Sequence, residues 1–200
     1  MKTVVVLAGG PDVHRIELPE GAEVIAADGG AELGVPVDLV VGDSDSITSA
    51  TLARVPAAEP YPPDKDATDL ELALDAALRS SPERVLVVGS AGGRLDHLVS
   101  SLLLLAAEKY AGVVVDAVLG GAQVHVVRGE RVLQGEVGEL VSLFAVHARA
   151  EGVTTSGLVY PLHDEPLEPG SSRGTSNAFH EPEARITVAR GVVLAVRPGV

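Results

Sequence analysis

The 200-residue chain contains no cysteine and no tryptophan, and aromatic residues make up only 2% of it. The absence of cysteine excludes disulfide bonds and thiolate metal sites, and it is compatible with a reducing cytosol. Because aromatic rings are scarce, the core must be built from Val, Leu and Ala. Hydrophobic residues still make up 46% of the chain, which predicts a packed globular protein.

Basic residues are also scarce, with 15 Lys and Arg against 28 Asp and Glu and a net charge of −13. This balance argues against a general nucleic-acid or anionic-membrane binder, because both need a basic surface. No apolar run approaches the ~18 residues that a membrane span requires. The opening run MKTVVVLAGG is too short for a signal peptide and ends in Gly-Gly. We therefore expect a soluble cytoplasmic protein that binds neither nucleic acid nor membrane.

The first ~120 residues alternate short apolar, β-branched runs with helix-like segments, which is typical of a parallel sheet buried on both faces. The predicted strands are Thr3–Ala8, Ala22–Ala27, Leu39–Val41, Arg84–Val88 and Val113–Val118. The predicted helices are Ala67–Arg79, whose apolar positions recur at helical spacing, and Leu95–Tyr110.

After about Gly120 the pattern changes to apolar–polar alternation with frequent glycine, which predicts an antiparallel β-domain that closes with a hairpin around Arg190 and Gly191. The predicted fold class is α/β: an N-terminal, mainly parallel α/β sandwich followed by a smaller C-terminal antiparallel β-sandwich. The predicted domains are residues 1–121 and 122–200.

Two carboxylates, Asp43 and Asp45, follow the third predicted strand in the stretch VVGDSDS. Ligands of parallel α/β sheets bind beyond the carboxyl ends of the strands. In an extended chain, side chains two positions apart, such as those of Asp43 and Asp45, point to the same side. Two adjacent carboxylates repel unless one is protonated or a cation lies between them, and Mg²⁺ is the hard cation suited to oxygen ligands. The alternative is an ordinary Gly-Asp-Ser turn in which the side chains cap backbone amides.

Three further motifs resemble parts of a phosphate site. Asp28 ends the second strand and is followed by Gly29 and Gly30, whose backbone permits close approach of a phosphate, although a tight turn has the same pattern. In the stretch PPDKDATDLELAL, Asp66 or Thr68 is positioned to cap a helix. There Lys65 offers a charge for phosphate, and Asp69 is placed to extend a metal site.

The third of these motifs is VVGSAGGRLDHLVS, in which a glycine-rich loop joins a strand to a helix that opens with Arg94, Asp96 and His97. Loop amides, a helix N-terminus and a guanidinium group are together typical of an anion-binding site. Asp96 also suits the simpler role of a helix cap. The spacing matches neither a Walker A loop nor the dinucleotide fingerprint Gly-x-Gly-x-x-Gly.

The motifs ADGGA, GDSDS, KDATDLELAL and GGRLDH, in this order, closely resemble the thiamine pyrophosphokinase family, as do TTSGLVYPL and GSSRGTSNAF in the second half. The resemblance implies a Mg²⁺-dependent homodimer that transfers the diphosphate of ATP to the hydroxyethyl oxygen of thiamine and releases AMP. It also implies active sites shared between the N-domain of one subunit and the C-domain of the other.

The resemblance implies roles for particular residues. The implied metal and catalytic carboxylates are Asp43, Asp45, Asp69 and Asp96. The implied ATP-binding residues are Asp28, Gly29, Gly30, Lys65, Asp66, Thr68, Arg94 and His97. Asp96 or Asp69 is the candidate base for the hydroxyl proton. Ser176 and Asn177 are the implied thiamine contacts, with Phe179, His180 or Tyr160 as the aromatic partner. Two alternatives remain open: a related pyrophosphokinase acting on a hydroxymethylpterin-type alcohol, and a nucleotide-binding module without turnover.

Overall fold

The computed structural model describes residues 1–13 and 16–199, which form two compact units. Unit 1 contains residues 1–104 and 112–120, and unit 2 contains residues 105–111 and the chain from 121 onward. Within the described residues, no helix combines the length and the hydropathy needed to cross a bilayer.

Unit 1 is built on six parallel strands: β1 Thr3–Gly9, β2 Glu23–Ala27, β3 Leu39–Gly42, β4 Ala57–Pro60, β5 Arg84–Gly89 and β6 Val114–Leu119. Their order in the sheet is β6-β5-β1-β2-β3-β4. The central strands are buried runs of Val, Ile, Leu and Ala, which confirms the predicted parallel α/β architecture. Strand β4 was not predicted, and it lies at the sheet edge with mostly exposed residues.

The helices of unit 1 are α1 Ser49–Leu52, α2 Asp69–Arg79 and α3 Leu95–Leu105, of which only the last residue, Leu105, belongs to unit 2. Helix α2 begins at Asp69 because the Thr68 side chain caps it, accepting a hydrogen bond from the Glu71 amide at 3.3 Å. Its buried face contacts strands β1 to β3 and consists of Leu70, Ala73, Leu74, Ala76 and Ala77.

The predicted helix Leu95–Tyr110 is too long. Helix α3 ends at Leu105, Ala107 is extended, and a separate 3₁₀ helix covers Glu108–Tyr110. At this point an Arg128 Nη atom donates to the carbonyl oxygens of Ala106 and Ala107 at 2.6 and 3.0 Å. These bonds satisfy carbonyl groups that are left without an intrahelical partner, so the helix can stop there.

Unit 2 is antiparallel throughout: β7 Ala122–Gln134, β8 Leu140–Ala145, β9 Ala150–Ser156, β10 Glu165–Leu167, β11 Asn177–Ala178 and β12 Glu183–Arg197. Strand β12 pairs with β7 along most of its length, with β9 through its first half and with β8 through its second half. Residues of every one of these strands except β11 share one core that includes Val141, Val153 and Ile186.

The predicted hairpin at Arg190 and Gly191 is wrong. Glu183–Val188 and Val193–Arg197 both pair with β7, so the chain continues in one direction through this point. The register shifts between Val188 and Val193, and Gly191 has a φ of +95°. The arginine-glycine pair therefore forms a bulge that bends a single long strand, rather than a turn that reverses it.

Candidate active site

A cavity of unit 1 lies where the strand order of the parallel sheet reverses. From β1 the chain passes to β2, β3 and β4 on one side and to β5 and β6 on the other. Gly9 and Gly10 at the end of β1, together with Gly89 and Ser90 at the end of β5, line a cavity of about 720 Å³. In open α/β sheets this switch point is where ligands bind.

Three carboxylates converge at the neighbouring strand ends. Asp28, Asp43 and Asp45 each offer one oxygen, and these oxygens all lie within 4.8 Å of one another. The expected alternation of an extended strand is not what brings Asp43 and Asp45 together, because Ser44 between them has a φ of +63°. Two local hydrogen bonds hold this turn. The Asp45 amide donates to Oδ1 of Asp43 at 3.4 Å, and the Ser46 hydroxyl donates to Oδ1 of Asp45 at 2.7 Å.

Asp28 is the most buried member of the cluster, with 5% of its surface exposed. Its Oδ2 accepts a hydrogen bond from the Ser46 amide at 3.1 Å, while its Oδ1 is buried and accepts no hydrogen bond from residues 1–13 or 16–199. Burial raises the pKa of the Asp28 carboxyl, and the bond from Ser46 only partly opposes this. A buried carboxylate with one unbonded oxygen, in a group of three carboxylates that offer oxygens within 4.8 Å of one another, fits a hard cation such as Mg²⁺.

Lys65 provides the positive charge beside this cluster. Its Nζ lies 2.9 Å from Oδ2 of Asp43 and 3.0 Å from Oδ1 of Asp69. The hydrogen bond from Lys65 lowers the pKa of Asp43. Burial by itself would lower the pKa of Lys65, but the two carboxylates outweigh it and the pKa is raised. Asp69 therefore joins the cluster through Lys65, and it lies outside the group of three converging carboxylates.

Gly42 makes room for these side chains. It ends β3 with a φ of +145°, and a Cβ placed there would lie 2.8 Å from Oδ1 of Asp69 and 3.0 Å from Cβ of Asp28. Gly30 is comparably constrained, because a Cβ there would lie 2.0 Å from the carbonyl oxygen of Leu7. Gly30 thus packs against β1, whereas its neighbour Gly29 lines the cavity.

The glycine-rich loop after β5 is held by Asp12, a residue that the sequence pattern did not single out. One Asp12 oxygen, Oδ2, accepts hydrogen bonds from the amides of Ala91 and Gly92 at 3.2 and 3.1 Å. A side-chain hydrogen bond with Ser90 lowers the pKa of Asp12. Two of the loop amides expected to face an anion are therefore already bonded within the protein.

Arg94, Asp96 and His97 all line the same cavity from the start of α3. Both Asp96 oxygens accept from Arg94, from Nε at 3.2 Å and from Nη2 at 2.6 Å. The two side chains are 71% and 65% exposed, and the bond from Arg94 lowers the pKa of Asp96. Asp96 is therefore a partner of Arg94 and not a member of the group of three carboxylates.

The remaining predicted nucleotide residues lie in the segment before α2. Thr68 lines the cavity and also caps the helix. Asp66 is exposed and does not line the cavity. The structure thus places Lys65, Thr68 and Asp69 at the cavity and leaves Asp66 beside it.

Unit 2 has a second cavity of about 250 Å³. It is lined by Leu143, Tyr160, Pro161, Leu162, Arg173, Gly174, Thr175 and Asn177. Ser176 does not line it, and the Ser176 amide donates to the Ser142 hydroxyl at 3.0 Å. Asn177 lines the cavity but is 5% exposed, and its amide group is bonded to the backbone of Tyr160.

The position of Phe179 differs from the prediction. Its side chain is 1% exposed and belongs to the core of unit 2. The guanidinium carbon of Arg197 lies over the Phe179 ring, 5.5 Å from its centroid. Arg197 also forms two 2.7 Å hydrogen bonds to the Glu139 carboxylate. Phe179 is therefore a packing residue, and Tyr160, which is 67% exposed, is the aromatic ring at the cavity.

Two family models match consecutive parts of the chain. The thiamin pyrophosphokinase catalytic domain matches residues 18–115, which include the three converging carboxylates. The thiamin pyrophosphokinase vitamin B1 binding domain matches residues 124–193, which include the second cavity.

Similar proteins extend this match over the whole chain. A thiamine pyrophosphokinase of Bacillus subtilis is 29% identical and aligned over 98% of this chain and 99% of its own. The crystal structure of the Bacillus subtilis enzyme has a TM-score of 0.85 at 24% identity, with full coverage of both chains. The thiamin pyrophosphokinase structure from Geobacillus thermodenitrificans has a TM-score of 0.79 at 26% identity, covering 98% and 97%.

Proposed function

The chain belongs to the thiamin pyrophosphokinase family, and on that premise we propose that it transfers the diphosphate group of ATP to the hydroxyethyl oxygen of thiamine, giving thiamine diphosphate and AMP. The observation that carries the proposal is the convergence of Asp28, Asp43 and Asp45 beside the switch-point cavity. Three carboxylates whose oxygens lie within 4.8 Å of one another are stabilised by a cation, and a cation there is positioned to meet a polyphosphate.

We propose that ATP occupies the cavity of about 720 Å³ in unit 1. The glycines after β1 and β5 let the nucleotide approach the backbone, and the Arg94 guanidinium supplies a fork for phosphate oxygens. Lys65, which pairs with Asp43 and also lines the cavity, adds a second positive charge. Phosphoryl-type transfer depends mainly on positioning and charge neutralisation, which these groups provide.

We also propose that the enzyme uses Mg²⁺. Asp28, Asp43 and Asp45 would hold the ion through their converging oxygens. When bound, Mg²⁺ neutralises charge on the polyphosphate and favours attack at phosphorus. Asp28 suits this role because its Oδ1 accepts no competing hydrogen bond within the described part of the chain.

In the transfer step, the hydroxyl oxygen of thiamine forms a bond to the β-phosphorus, and the bond from that phosphorus to the α,β-bridging oxygen breaks. The bridging oxygen leaves with AMP, and the hydroxyl proton passes to a carboxylate. We assign this proton to Asp69, which lines the cavity and has one oxygen paired with Lys65. Both oxygens of Asp96 already accept from Arg94, so Asp96 instead orients that arginine.

We propose that the cavity of about 250 Å³ in unit 2 takes thiamine. Support comes from the match of residues 124–193 to a vitamin B1 binding domain and from the exposed ring of Tyr160 at the cavity. Thiamine carries a planar, cationic thiazolium ring, and a tyrosine face attracts such a group.

We further propose that the enzyme acts in the cytoplasm as a homodimer whose active sites combine residues of both subunits. Family likeness supports the dimer, and so does helix α3. Its apolar side chains Leu95, Val99 and Leu103 are 72%, 48% and 43% exposed at a spacing of four residues, which suits burial against a second copy.

The direct test is to incubate the purified protein with ATP, Mg²⁺ and thiamine and to measure AMP and thiamine diphosphate together. Equal amounts of the two products are expected. ADP in place of AMP would contradict diphosphate transfer. Turnover only with a hydroxymethylpterin-type alcohol would reject thiamine as the acceptor, and no turnover with either alcohol would favour a binding module.

A further inference from the structure

The wall of the unit 2 cavity contains a three-residue segment, Tyr160–Leu162, that carries no regular secondary structure. A segment of this kind can adopt several conformations unless its backbone groups are bonded. Here the bonds come from outside the segment, from residues 17 positions away at one end and 7 positions away at the other, and each end is held by a reciprocal pair.

Asn177 holds the first end. Its Oδ1 accepts from the Tyr160 amide at 3.0 Å, and its Nδ2 donates to the Tyr160 carbonyl at 2.8 Å. The same Oδ1 also accepts from the Ala178 amide at 2.9 Å. Asn177 is 5% exposed, and both its Oδ1 and its Nδ2 bond to backbone groups, so the amide group is oriented toward the Tyr160 backbone.

Thr155 holds the other end in an equivalent way. Its hydroxyl accepts from the Leu162 amide at 2.9 Å, and its own amide donates to the Leu162 carbonyl at 3.0 Å. Thr155 is 3% exposed and does not line the cavity. Between the two held residues stands Pro161, whose ring fixes φ and which has no amide hydrogen to satisfy.

We propose that Asn177 and Thr155 are positioning residues for the acceptor alcohol: they hold Tyr160–Leu162 as a preformed cavity wall, and the Asn177 amide itself does not touch the substrate. This inference rests on the proposed binding of thiamine in this cavity. It reassigns Asn177 from a direct contact to an indirect one, and it gives a role to Thr155, which the sequence pattern did not indicate. A preformed wall favours binding because less conformational entropy is lost when the substrate enters.

The test compares Thr155→Val with wild type in steady-state kinetics. Valine preserves the shape of the side chain and removes the acceptor for Leu162. We expect the KM for thiamine to rise about 10-fold, with kcat and the KM for ATP nearly unchanged. Asn177→Ala should also raise the KM for thiamine. Thr155→Ser, which retains the hydroxyl, should keep the wild-type KM for thiamine.

Thr154→Val is the matched control. The Thr154 hydroxyl accepts from the Asp164 amide at 3.1 Å, which is a similar bond from the adjacent position of β9, but Asp164 does not line the cavity. This variant should keep the wild-type KM for thiamine. A rise in the Asn177→Ala variant with no rise in Thr155→Val would overturn the proposal, because it would indicate direct contact by Asn177. An equal rise in Thr154→Val would also overturn it.

A second measurement is independent of turnover. Amide exchange followed by NMR should show protected Tyr160 and Leu162 amides in the wild type, with the Leu162 amide exchanging faster in Thr155→Val and the Tyr160 amide faster in Asn177→Ala. Rapid exchange of both amides in the wild type would refute the claim that Asn177 and Thr155 hold this segment in place. Absence of any wild-type product from thiamine would instead reject the proposed function, and the exchange result would still decide whether these residues hold the wall.

Discussion

The Nζ atom of Lys65 lies 2.9 Å from Oδ2 of Asp43, and both side chains are only 11% exposed. This contact places a fixed positive charge against one of the three converging carboxylates. The cluster is thus partly neutralised before any nucleotide or metal arrives, and the remaining negative charge is concentrated on Asp28 and Asp45.

If Lys65 acts on the polyphosphate as we propose, replacing it by Met should lower activity at least ~100-fold, because the site loses the positive charge beside Asp43 and Asp69. The metal-free variant should melt at a lower temperature than the wild type, since Asp43 and Asp69 lose their counter-charge. Lys109→Met removes an exposed lysine elsewhere and should leave turnover unchanged. Kinetics and calorimetry check both variants, and wild-type turnover in Lys65→Met would remove Lys65 from the site.

The same pair predicts a pH dependence. Because the hydrogen bond from Lys65 lowers the pKa of Asp43 in the folded state, the stability it contributes is present above the ordinary aspartate pKa of 3.8, which applies to the unfolded state. That stability is lost as the pH falls through the lower, folded-state value. The difference in melting temperature between wild type and Lys65→Met should therefore be constant near neutral pH and shrink below about pH 4. A difference that grows on acidification would contradict this assignment.

Asp28→Asn should separate stability from function. Burial raises the pKa of Asp28, so folding favours the protonated form, and that contribution is lost as the pH rises through the folded-state pKa. At pH 7 the charged carboxylate therefore costs stability, and the neutral amide can still accept from the Ser46 amide. We expect the metal-free variant to melt about 2–4 °C higher, while its Mg²⁺ affinity and activity fall.

Asp38→Asn is the control for this variant, because Asp38 also accepts one backbone hydrogen bond, from Val24 at 2.8 Å, away from the cluster. Its Mg²⁺ affinity should equal that of the wild type. Recording the melting temperature during a titration with Mg²⁺ measures both the stability of the metal-free protein and its Mg²⁺ affinity. A destabilised Asp28→Asn protein with unchanged Mg²⁺ affinity would show that Asp28 is structural.

Gly42→Ala should disturb the cluster by contact rather than by charge. The added Cβ would lie 2.8 Å from Asp69 and 3.0 Å from Asp28, so these side chains must move. Gly34 also has a positive φ, of +77°, but a Cβ there meets nothing within 4 Å, so Gly34→Ala incurs only the backbone strain of about 1 kcal/mol. We expect activity to fall in Gly42→Ala and not in Gly34→Ala. Similar activities in the two variants would argue against close packing around Gly42.

Asp69→Asn and Asp96→Asn should differ in kind. If Asp69 accepts the hydroxyl proton, its amide variant should lose kcat by about 100-fold or more with a nearly unchanged KM for ATP. Asp96→Asn should mainly raise the KM for ATP, because its partner Arg94 loses its orientation. Steady-state kinetics at saturating thiamine distinguish the two, and the reverse pattern would exchange the assigned roles.

The buried elements were predictable from sequence, whereas edges and bulges were not. Five parallel strands stand out because runs such as VVVLA are buried on both faces. Strand β4, Ala57–Pro60, has no such run, since an edge strand is only partly covered. The turn-like pair Arg190 and Gly191 was misinterpreted because local sequence does not distinguish a bulge from a hairpin when both need a positive φ.

The site shows the same division. The strand-end motifs bring Asp43, Asp45, Lys65 and Asp69 into one region because parallel strands end at a common edge. The burial of Asp28 and the bonds of Asp12 depend on contacts between segments distant in the chain. For the same reason the position of Asn177 in a motif did not reveal that its amide is bonded to Tyr160.

The most direct test of the central claim is the fate of label from ATP carrying ³²P at the β-position, with Mg²⁺ and thiamine present. Diphosphate transfer predicts that the label appears in thiamine diphosphate, in equal amount to AMP, and that Asp43→Asn and Asp45→Asn proteins, though folded, transfer none. Label retained in ADP, or transfer undiminished in either variant, would contradict the account.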